Sequence, residues 1–234
     1  MDQRRGKLFS KLSKEISVAA RLGGGDPNFN PRLRQAIATA RGESVPVDNI
    51  ERAIKKGTGE LEGAAYEEMT YEGYGPGGVA ILIEAATDNK NRSAAEIRAI
   101  FTKNHGNLGG SGSVAWMFHR KGIITITEPG ISEDDVILTA LDAGAVDVRS
   151  HDGMIEIVTP PDNKLDAVSK ALEHAKIPLA SAKLSYIPGN LTPITDPHVA
   201  EQVLALLEAL DDHDDAQAVH ANLDMAPDLL AKTS

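Results

Sequence analysis

The first sixty residues carry apolar side chains at intervals of three or four, which is the period of an α-helix. The first such stripe consists of Leu8, Leu12, Ile16 and Ala19. The stripe predicts a helix over residues 2–22. We expect this helix to end at Gly23-Gly24-Gly25, because glycine adopts the left-handed conformation of a helix C-terminus at little steric cost.

A second helix is predicted over residues 31–41. Asn30-Pro31 has the pattern of an N-cap followed by proline at the first helical position. Leu33 and Ile37 are spaced to face a shared core.

The pattern predicts a third helix that begins at Pro46, continues to about Lys56 and ends at Gly57. Its core-facing residues are expected to be Val47, Ile50 and Ile54. Three short helices that share one core form a small helical bundle, which we assign to residues 1–63.

After residue 63 the pattern changes to alternating apolar and polar positions rich in β-branched residues, which is typical of strands. Strands are predicted over 66–71, 79–85 and 114–118. Ser93-Ala94-Ala95-Glu96 has the form of a capping box and predicts a helix that ends near Asn104. The order of elements in this segment is therefore β-β-α-β.

Residues 122–187 have a different order. Strands are predicted over 123–127, 146–149, 154–158 and 180–186, with helices over 132–143 and 165–175. This is the β-α-β-β-α-β order of ferredoxin-like domains.

The β-β-α-β segment has three strands and one helix, and a last helix (197–210) and a last strand (218–222) can complete it. We therefore predict an α+β protein in which the domain 122–187 is inserted into a discontinuous domain, 64–121 with 188–234. Three sequential domains are the alternative.

Composition narrows the class of protein. The chain of 234 residues is 41% hydrophobic and 25% charged, which is ordinary for a globular protein. It contains no cysteine, which excludes disulfides and cysteine-ligated metal sites. No apolar run reaches about 18 residues, so no membrane span is expected, and the first residues lack the apolar segment of a signal peptide.

The net charge of −10 is distributed unevenly. Twelve basic and seven acidic residues give residues 1–60 a charge of +5, whereas the remainder carries −15. On the first predicted helix the cations Arg4, Lys7, Lys11 and Lys14 follow a stripe of their own. The later helices add Arg32, Arg34, Arg52, Lys55 and Lys56. Cations that three helices present opposite their apolar faces predict a polyanion partner, although a merely solvated basic surface is the alternative.

Other candidate chemistry is weak. Gly73, Gly75 and Gly78 match G-x-G-x-x-G but precede a strand, so a hairpin turn is expected. Gly109-Gly110-Ser111-Gly112 lacks the Lys-Ser/Thr of a P-loop, which leaves a flexible loop that contacts backbone phosphate as one interpretation. The run 211–215 is expected to be an acidic turn. The sequence predicts no catalytic centre, no metal site and no cofactor. A hydrolase that uses a cluster of Asp or Glu residues with Mg²⁺ is the alternative from another functional class.

Five segments of the chain resemble the YebC family. They are RGKLFSKLSKEISVAARLGGGDPNFNPRLR (5–34), NIERAIKKGTGELEG (49–63), YEGYGPGGVAILIEA (71–85), DNKNRSAAEIR (88–98) and GNLGGSGSVAWMF (106–118). That family comprises probable transcriptional regulators and includes the mitochondrial translational activator of cytochrome oxidase. The resemblance implies a helical N-terminal domain followed by two α+β domains, one inserted in the other.

The resemblance also implies a cytoplasmic, non-enzymatic protein that regulates gene expression through nucleic acid. DNA binding in transcription is the first expectation, and a ribosome-associated translation factor that binds ribosomal RNA is the alternative. The resemblance implies that the basic residues at matching positions contact phosphate; they are Arg5, Lys7, Lys11, Arg32, Arg34, Arg52, Lys55 and Lys56. Two family-like loops add Asn89, Lys90, Arg92, Gly109, Gly110 and Ser111 as candidates. Family members usually carry a Lys-rich segment before the position of Arg5, so a truncated start or an absent arm is expected here.

Overall fold

The computed structural model describes residues 2–151, 153–161 and 164–226, with side chains described from residue 5 onward. The chain divides into two compact units, Met1–Trp116 with Asn190–Ser234 and Met117–Gly189. In chain order the helices are α1 (Asp2–Gly23), α2 (Pro31–Gly42), α3 (Val47–Thr58), α4 (Lys90–Lys103), α5 (Glu133–Ala143), α6 (Lys164–His174) and α7 (Pro197–Asp211). The strands are β1 (Glu67–Tyr74), β2 (Ala80–Thr87), β3 (Asn107–Leu108), β4 (Phe118–Ile126), β5 (Asp147–His151), β6 (Met154–Thr159), β7 (Ser181–Pro188), β8 (Thr192–Ile194), β9 (Ala216–Ala221) and β10 (Leu223–Met225).

The first three helices bury one core, as predicted. Ile16, Leu33 and Ile50 are among its fully or nearly fully buried members. Asn30 joins two of the helices. Its side-chain oxygen accepts a hydrogen bond from Leu33 N (3.1 Å) and caps α2, while its amide donates to Ala19 O at the end of α1 (2.7 Å). One side chain thus fixes the angle between α1 and α2.

Two details of the third helix were predicted wrongly. Gly57 lies inside α3, which ends at Thr58 with Gly59 in the left-handed conformation (φ +81°). A Cβ on Gly57 would lie 2.2 Å from Ser17 O of α1, so this glycine allows α1 and α3 to approach closely. Val47 is 58% exposed, whereas Val45, two residues earlier, belongs to the core and is 4% exposed.

The first unit contains a four-stranded antiparallel sheet in the order β3-β1-β2-β9 and a small parallel pair, β8 and β10. α4 and α7 cover one face, where Ile83, Phe101 and Leu206 are fully buried. Helix α1 also contacts this sheet, at strands β2 and β9. β9 and α7 follow residue 190, and the sheet is therefore completed only when the chain returns from the second unit.

Two expectations in the β-β-α-β segment were wrong. Ser93 is not an N-cap, because α4 begins at Lys90 and is capped by Asn89, whose side chain accepts from Arg92 N (3.1 Å). Residues 114–118 do not form a separate strand. Residues 115–117 form a 3₁₀ turn, and only the two residues of β3 pair with β1 in this region.

The second unit has the predicted β-α-β-β-α-β order. Its sheet is antiparallel in the order β5-β6-β4-β7, which is the ferredoxin-like arrangement. α5 and α6 bury their apolar faces with Ile124, Ile126 and Ile157 of the sheet. β4 begins at Phe118, five residues earlier than expected, because it pairs with β7 along its whole length.

The α+β class with N-terminal helices and two sheet-containing parts is confirmed. The helices 1–63 and the discontinuous α+β segment lie within the same compact unit, and the boundary between them stays a prediction. Within the described ranges, no helix combines the length and apolar character needed to cross a bilayer.

Candidate nucleic-acid interface

The lysines of α1 face carboxylates of the same chain. The acidic turn, residues 211–215, follows α7 and lies beside α1. Lys7 Nζ is 3.1 Å from Asp212 Oδ2. Lys11 Nζ is 3.0 Å from Asp211 Oδ1 and donates to Asp211 O at 2.7 Å. Both lysines were predicted to contact phosphate, and their charges are largely compensated within the protein.

Lys14 is more deeply buried than Lys7 and Lys11. It is only 6% exposed, and its Nζ lies 2.6 Å from Asp215 Oδ1 and 2.7 Å from Asp214 O. A buried ammonium group with two internal partners cannot contact a solvent-borne phosphate. The interface proposed below therefore omits Lys14. The side chain of Arg4 lies outside the described residues.

Asp215 is the centre of this contact and is 2% exposed. Its Oδ1 accepts from Lys14, while its Oδ2 accepts from Ser93 Oγ (2.6 Å), Arg92 Nη2 (2.8 Å) and Thr87 Oγ1 (3.1 Å). Burial alone would raise the pKa of this carboxyl. The hydrogen bonds from Lys14, Ser93 and Arg92 outweigh it and hold the pKa of Asp215 far below its ordinary value.

Two further predicted phosphate contacts are used internally. Arg32 binds Glu15 with Nε and Nη2 (2.8 and 2.9 Å) and also reaches Glu68 (2.6 Å). The hydrogen bonds to Glu15 are the main reason why the pKa of Arg32 is raised. Lys56 Nζ lies 3.8 Å from the centre of the Tyr66 ring, which is a cation–π contact.

Other cations of the helical bundle face solvent. Arg34, Arg52 and Lys55 are exposed and form no ion pair in the part of the chain that the structure describes. Arg41 has the same properties and follows Arg34 by seven residues, which is two helical turns, so both lie on one side of α2. Sequence reasoning missed Arg41, although its spacing from Arg34 was readable. We call Arg34, Arg41, Arg52 and Lys55 the outer basic residues.

Arg5 is also exposed, with its guanidinium carbon 5.4 Å from the centre of the Phe9 ring. The candidate loop at 89–92 is used for structure. Asn89 caps α4, and Lys90 Nζ lies 2.5 Å from Glu67 Oε2. This hydrogen bond from Lys90 lowers the pKa of Glu67. Arg92 binds Asp215, as described above.

The glycine loop, residues 109–113, is anchored by a buried carboxylate. Glu72 is 4% exposed and accepts hydrogen bonds from the backbone N–H groups of Gly112 (2.7 Å), Val114 (2.8 Å) and Ala115 (2.7 Å). Burial alone would raise the pKa of Glu72, but the three N–H groups outweigh it and lower the pKa. Gly109 packs closely against the end of the loop, because a Cβ there would lie 2.5 Å from Ser113 Oγ, whose side chain would have to move.

Trp116 lies three residues after this loop and is 67% exposed. Its indole Nε1 donates to Ser113 O (3.2 Å), and the hydroxyl of Tyr74 donates to the same oxygen (3.1 Å). The indole is thus held at its edge while most of its surface faces solvent. Sequence reasoning passed over Trp116, although it is the only tryptophan of the chain and lies in a family-like segment.

One trio of residues has metal-ligand geometry. Ligand atoms of Glu96, His213 and Asp215 lie within 4.8 Å of one another. Both oxygens of Asp215 already bind cations, Lys14 and Arg92. His213 Nδ1 accepts from Asp215 N, so its Nε2 carries the proton and donates to Glu96 (3.0 Å). These bonds describe a satisfied polar network rather than a cation site.

Comparison with known proteins agrees with the fold and adds a family. The model of the TACO1/YebC N-terminal domain matches residues 1–60, and the model of the TACO1/YebC second and third domain matches residues 66–223. A protein of Chlorobaculum parvum named probable transcriptional regulatory protein is 54% identical over 230 residues, covering 98% of this chain and 91% of that protein. A protein of Natranaerobius thermophilus with the same name is 54% identical over 233 residues, covering 98% and 92%.

A solved structure is similar throughout. The crystal structure of a conserved hypothetical protein from Aquifex aeolicus superimposes with a TM-score of 0.89 at 48% sequence identity. The match covers 95% of this chain and 91% of that chain. The helical bundle and the two four-stranded sheets therefore have counterparts in that solved structure.

Proposed function

Because the chain belongs to the TACO1/YebC family, we propose that it is a non-enzymatic regulator of gene expression that binds nucleic acid, and that duplex DNA is its target in the regulation of transcription. In this proposal it acts in the cytoplasm and needs no cofactor. The names of its relatives support a regulatory role.

One observation carries the nucleic-acid part of the proposal. The protein carries a net charge of −10, yet the outer basic residues remain exposed and without ion pairs in the described structure. An acidic protein that keeps four such cations on two adjacent helices of a +5 segment can attract a phosphate backbone there while its remainder is repelled. The expected contact is electrostatic and therefore depends on salt.

The contacts of the lysines on α1 reduce the expected interface. Lys7 and Lys11 reach phosphate only if Asp211 and Asp212 are displaced, so they contribute less than their position on α1 suggested. We assign the primary phosphate contacts to the outer basic residues, with the exposed Arg5 as a further candidate. Gly110 and Ser111 remain candidates for a second contact.

Charge reversal tests this assignment. The triple variant Arg41→Glu, Arg52→Glu, Lys55→Glu should bind a 20-base-pair duplex at least tenfold more weakly. The slope of log affinity against log salt should fall by about 2 to 3, since each lost phosphate contact removes about 0.9. The matched control is Arg98→Glu, Lys103→Glu, Lys183→Glu, which changes the net charge equally at exposed positions elsewhere.

If both triple variants lost the same affinity for the duplex, the loss would be due to net charge alone, and the proposed interface would be rejected. Co-sedimentation with ribosomes provides the second arm. Ribosome binding that the first triple variant loses, without measurable duplex binding by the unmodified protein, would replace DNA by ribosomal RNA as the target.

A further inference from the structure

The exposed indole of Trp116 requires an explanation, since the residues beside it are well ordered by internal bonds. A tryptophan that is 67% exposed leaves a large apolar surface in water. The edge bond from Nε1 to Ser113 O fixes the ring, so little side-chain freedom remains to be lost when a ligand covers its face.

The glycine loop offers a second kind of contact beside the indole. Among the described residues, the backbone N–H groups of Gly110 and Ser111 have no hydrogen-bond acceptor, and both residues are exposed. Glu72 holds the loop from beneath through Gly112 and the two residues that follow the loop. The free N–H groups are therefore presented on a fixed backbone, where they can donate to an anion or to a carbonyl oxygen.

We propose that Trp116 and the glycine loop form a binding site for one unpaired nucleotide, with the base stacked on the indole and the phosphate or a base oxygen accepting from Gly110 N and Ser111 N. This inference rests on the proposed nucleic-acid binding, and it adds to the duplex contact of the outer basic residues a contact with a nucleotide outside the duplex. Inside a duplex, base faces are covered by their neighbours, so a site for an unpaired base selects a single strand or a loop.

The surroundings favour a nucleotide over a protein partner. A protein interface is centred on a contiguous apolar patch, whereas the loop beside this indole consists of glycine and serine. Tyr74, the other aromatic side chain that contacts the loop, is 36% exposed and uses its hydroxyl to hold Ser113 O. A single fixed ring beside backbone donors suits a planar base with a phosphate.

Trp116 is the only tryptophan, so its fluorescence reports on this site alone. The probe is a single-stranded 12-nucleotide DNA of mixed sequence. Its two controls are a 12-mer of abasic residues, which keeps the phosphates, and the blunt 12-base-pair duplex. We expect the single strand to quench the emission to saturation and the other two to quench it weakly. Binding is measured in parallel by the anisotropy of labelled oligonucleotide.

The variant Trp116→Ala should bind the single strand about 5- to 100-fold more weakly, as the loss of one base–aromatic stack predicts. Trp116→Phe should recover most of the affinity. The matched control is Leu138→Ala, which removes a similarly exposed apolar side chain (64%) from the second unit and should change the affinity less than twofold.

The outcomes separate the two proposals. Oligonucleotide binding by anisotropy without quenching, or with equal affinity in Trp116→Ala, would overturn the stacking site and leave the proposed function intact. Equal quenching by the abasic strand would also overturn it. Absence of binding to the single strand, to duplex DNA and to ribosomes would reject the proposed function itself.

Discussion

Replacing Asp215 by asparagine should destabilise the first unit more than replacing any other carboxylate of the acidic turn. The change removes the charge that Lys14 faces at 2.6 Å, and it leaves an ammonium group that is 6% exposed without an anion. Breaking a buried ion pair from one side costs about 3–5 kcal/mol, because the remaining charge stays desolvated. For a protein of this size this lowers the melting temperature by roughly 6–20 °C.

The measurement is urea unfolding followed by the fluorescence of Trp116, which belongs to the same unit as Asp215. The matched control is Asp211→Asn, whose carboxylate is 65% exposed where it pairs with Lys11. An exposed pair of this kind contributes about 0–1 kcal/mol.

A double-mutant cycle with Lys14→Met separates the ion pair from the other bonds of Asp215. The double variant should be no less stable than Asp215→Asn alone, because it no longer buries an uncompensated charge. Equal destabilisation by Asp215→Asn and Asp211→Asn, together with additive effects in the cycle, would refute the reasoning.

Three further results are expected. Gly57→Ala should lower the free energy of unfolding by about 2 kcal/mol or more, because the new Cβ would lie 2.2 Å from Ser17 O. Gly42→Ala is the control, since a Cβ at Gly42 meets no atom, and urea titration should show no such loss of stability for it. Folding lowers the pKa of Asp215, so the stability that its charge contributes is complete above the unfolded pKa of about 3.9 and is lost as the pH falls below that value. The difference in free energy of unfolding between the protein and Asp215→Asn, measured from pH 3 to 7, should therefore narrow only below about pH 4. Glu72→Gln replaces a carboxylate by an amide opposite three N–H donors, which weakens the bonds that hold the glycine loop. Acrylamide should therefore quench the fluorescence of Trp116 more strongly in this variant. Unchanged quenching would contradict an anchoring role of Glu72.

Periodicity and turn residues predicted most elements, because the signals are local. The stripe on α1, the proline at the start of α2 and the β-α-β-β-α-β order all depend on residues within a few positions of one another. The predicted start of the helix over 132–143 is confirmed, because Ser132 caps α5 by accepting from Asp135 N.

The errors arose where a distant residue determines the local structure. Ser93 matches a capping box, yet its hydroxyl binds Asp215, 122 residues later. The segment 114–118 has the composition of a strand, but Glu72 takes the N–H groups of Val114 and Ala115 that a strand would use for pairing. No periodicity in the sequence reports these contacts.

The prediction of the interface residues failed at some positions for the same reason. A helical wheel places Lys14 among the outward cations, and only the folded chain brings Asp215 to it. Arg41 and Trp116 could have been noticed in the sequence, one from its spacing and the other from its uniqueness. Their exposure, which makes them candidates, could be known only from the structure.

The discontinuity of the first unit has a consequence for synthesis. Strand β9 and the acidic turn emerge from the ribosome about two hundred residues after α1, as the separation of 200 positions between Lys11 and Asp211 requires. Until then the lysines of α1 have no internal anion, and β2 has no partner on one edge. The second unit is one uninterrupted stretch of chain and can fold in the meantime. The second unit can therefore complete its fold before the first unit does, although it lies later in the chain than α1–α3.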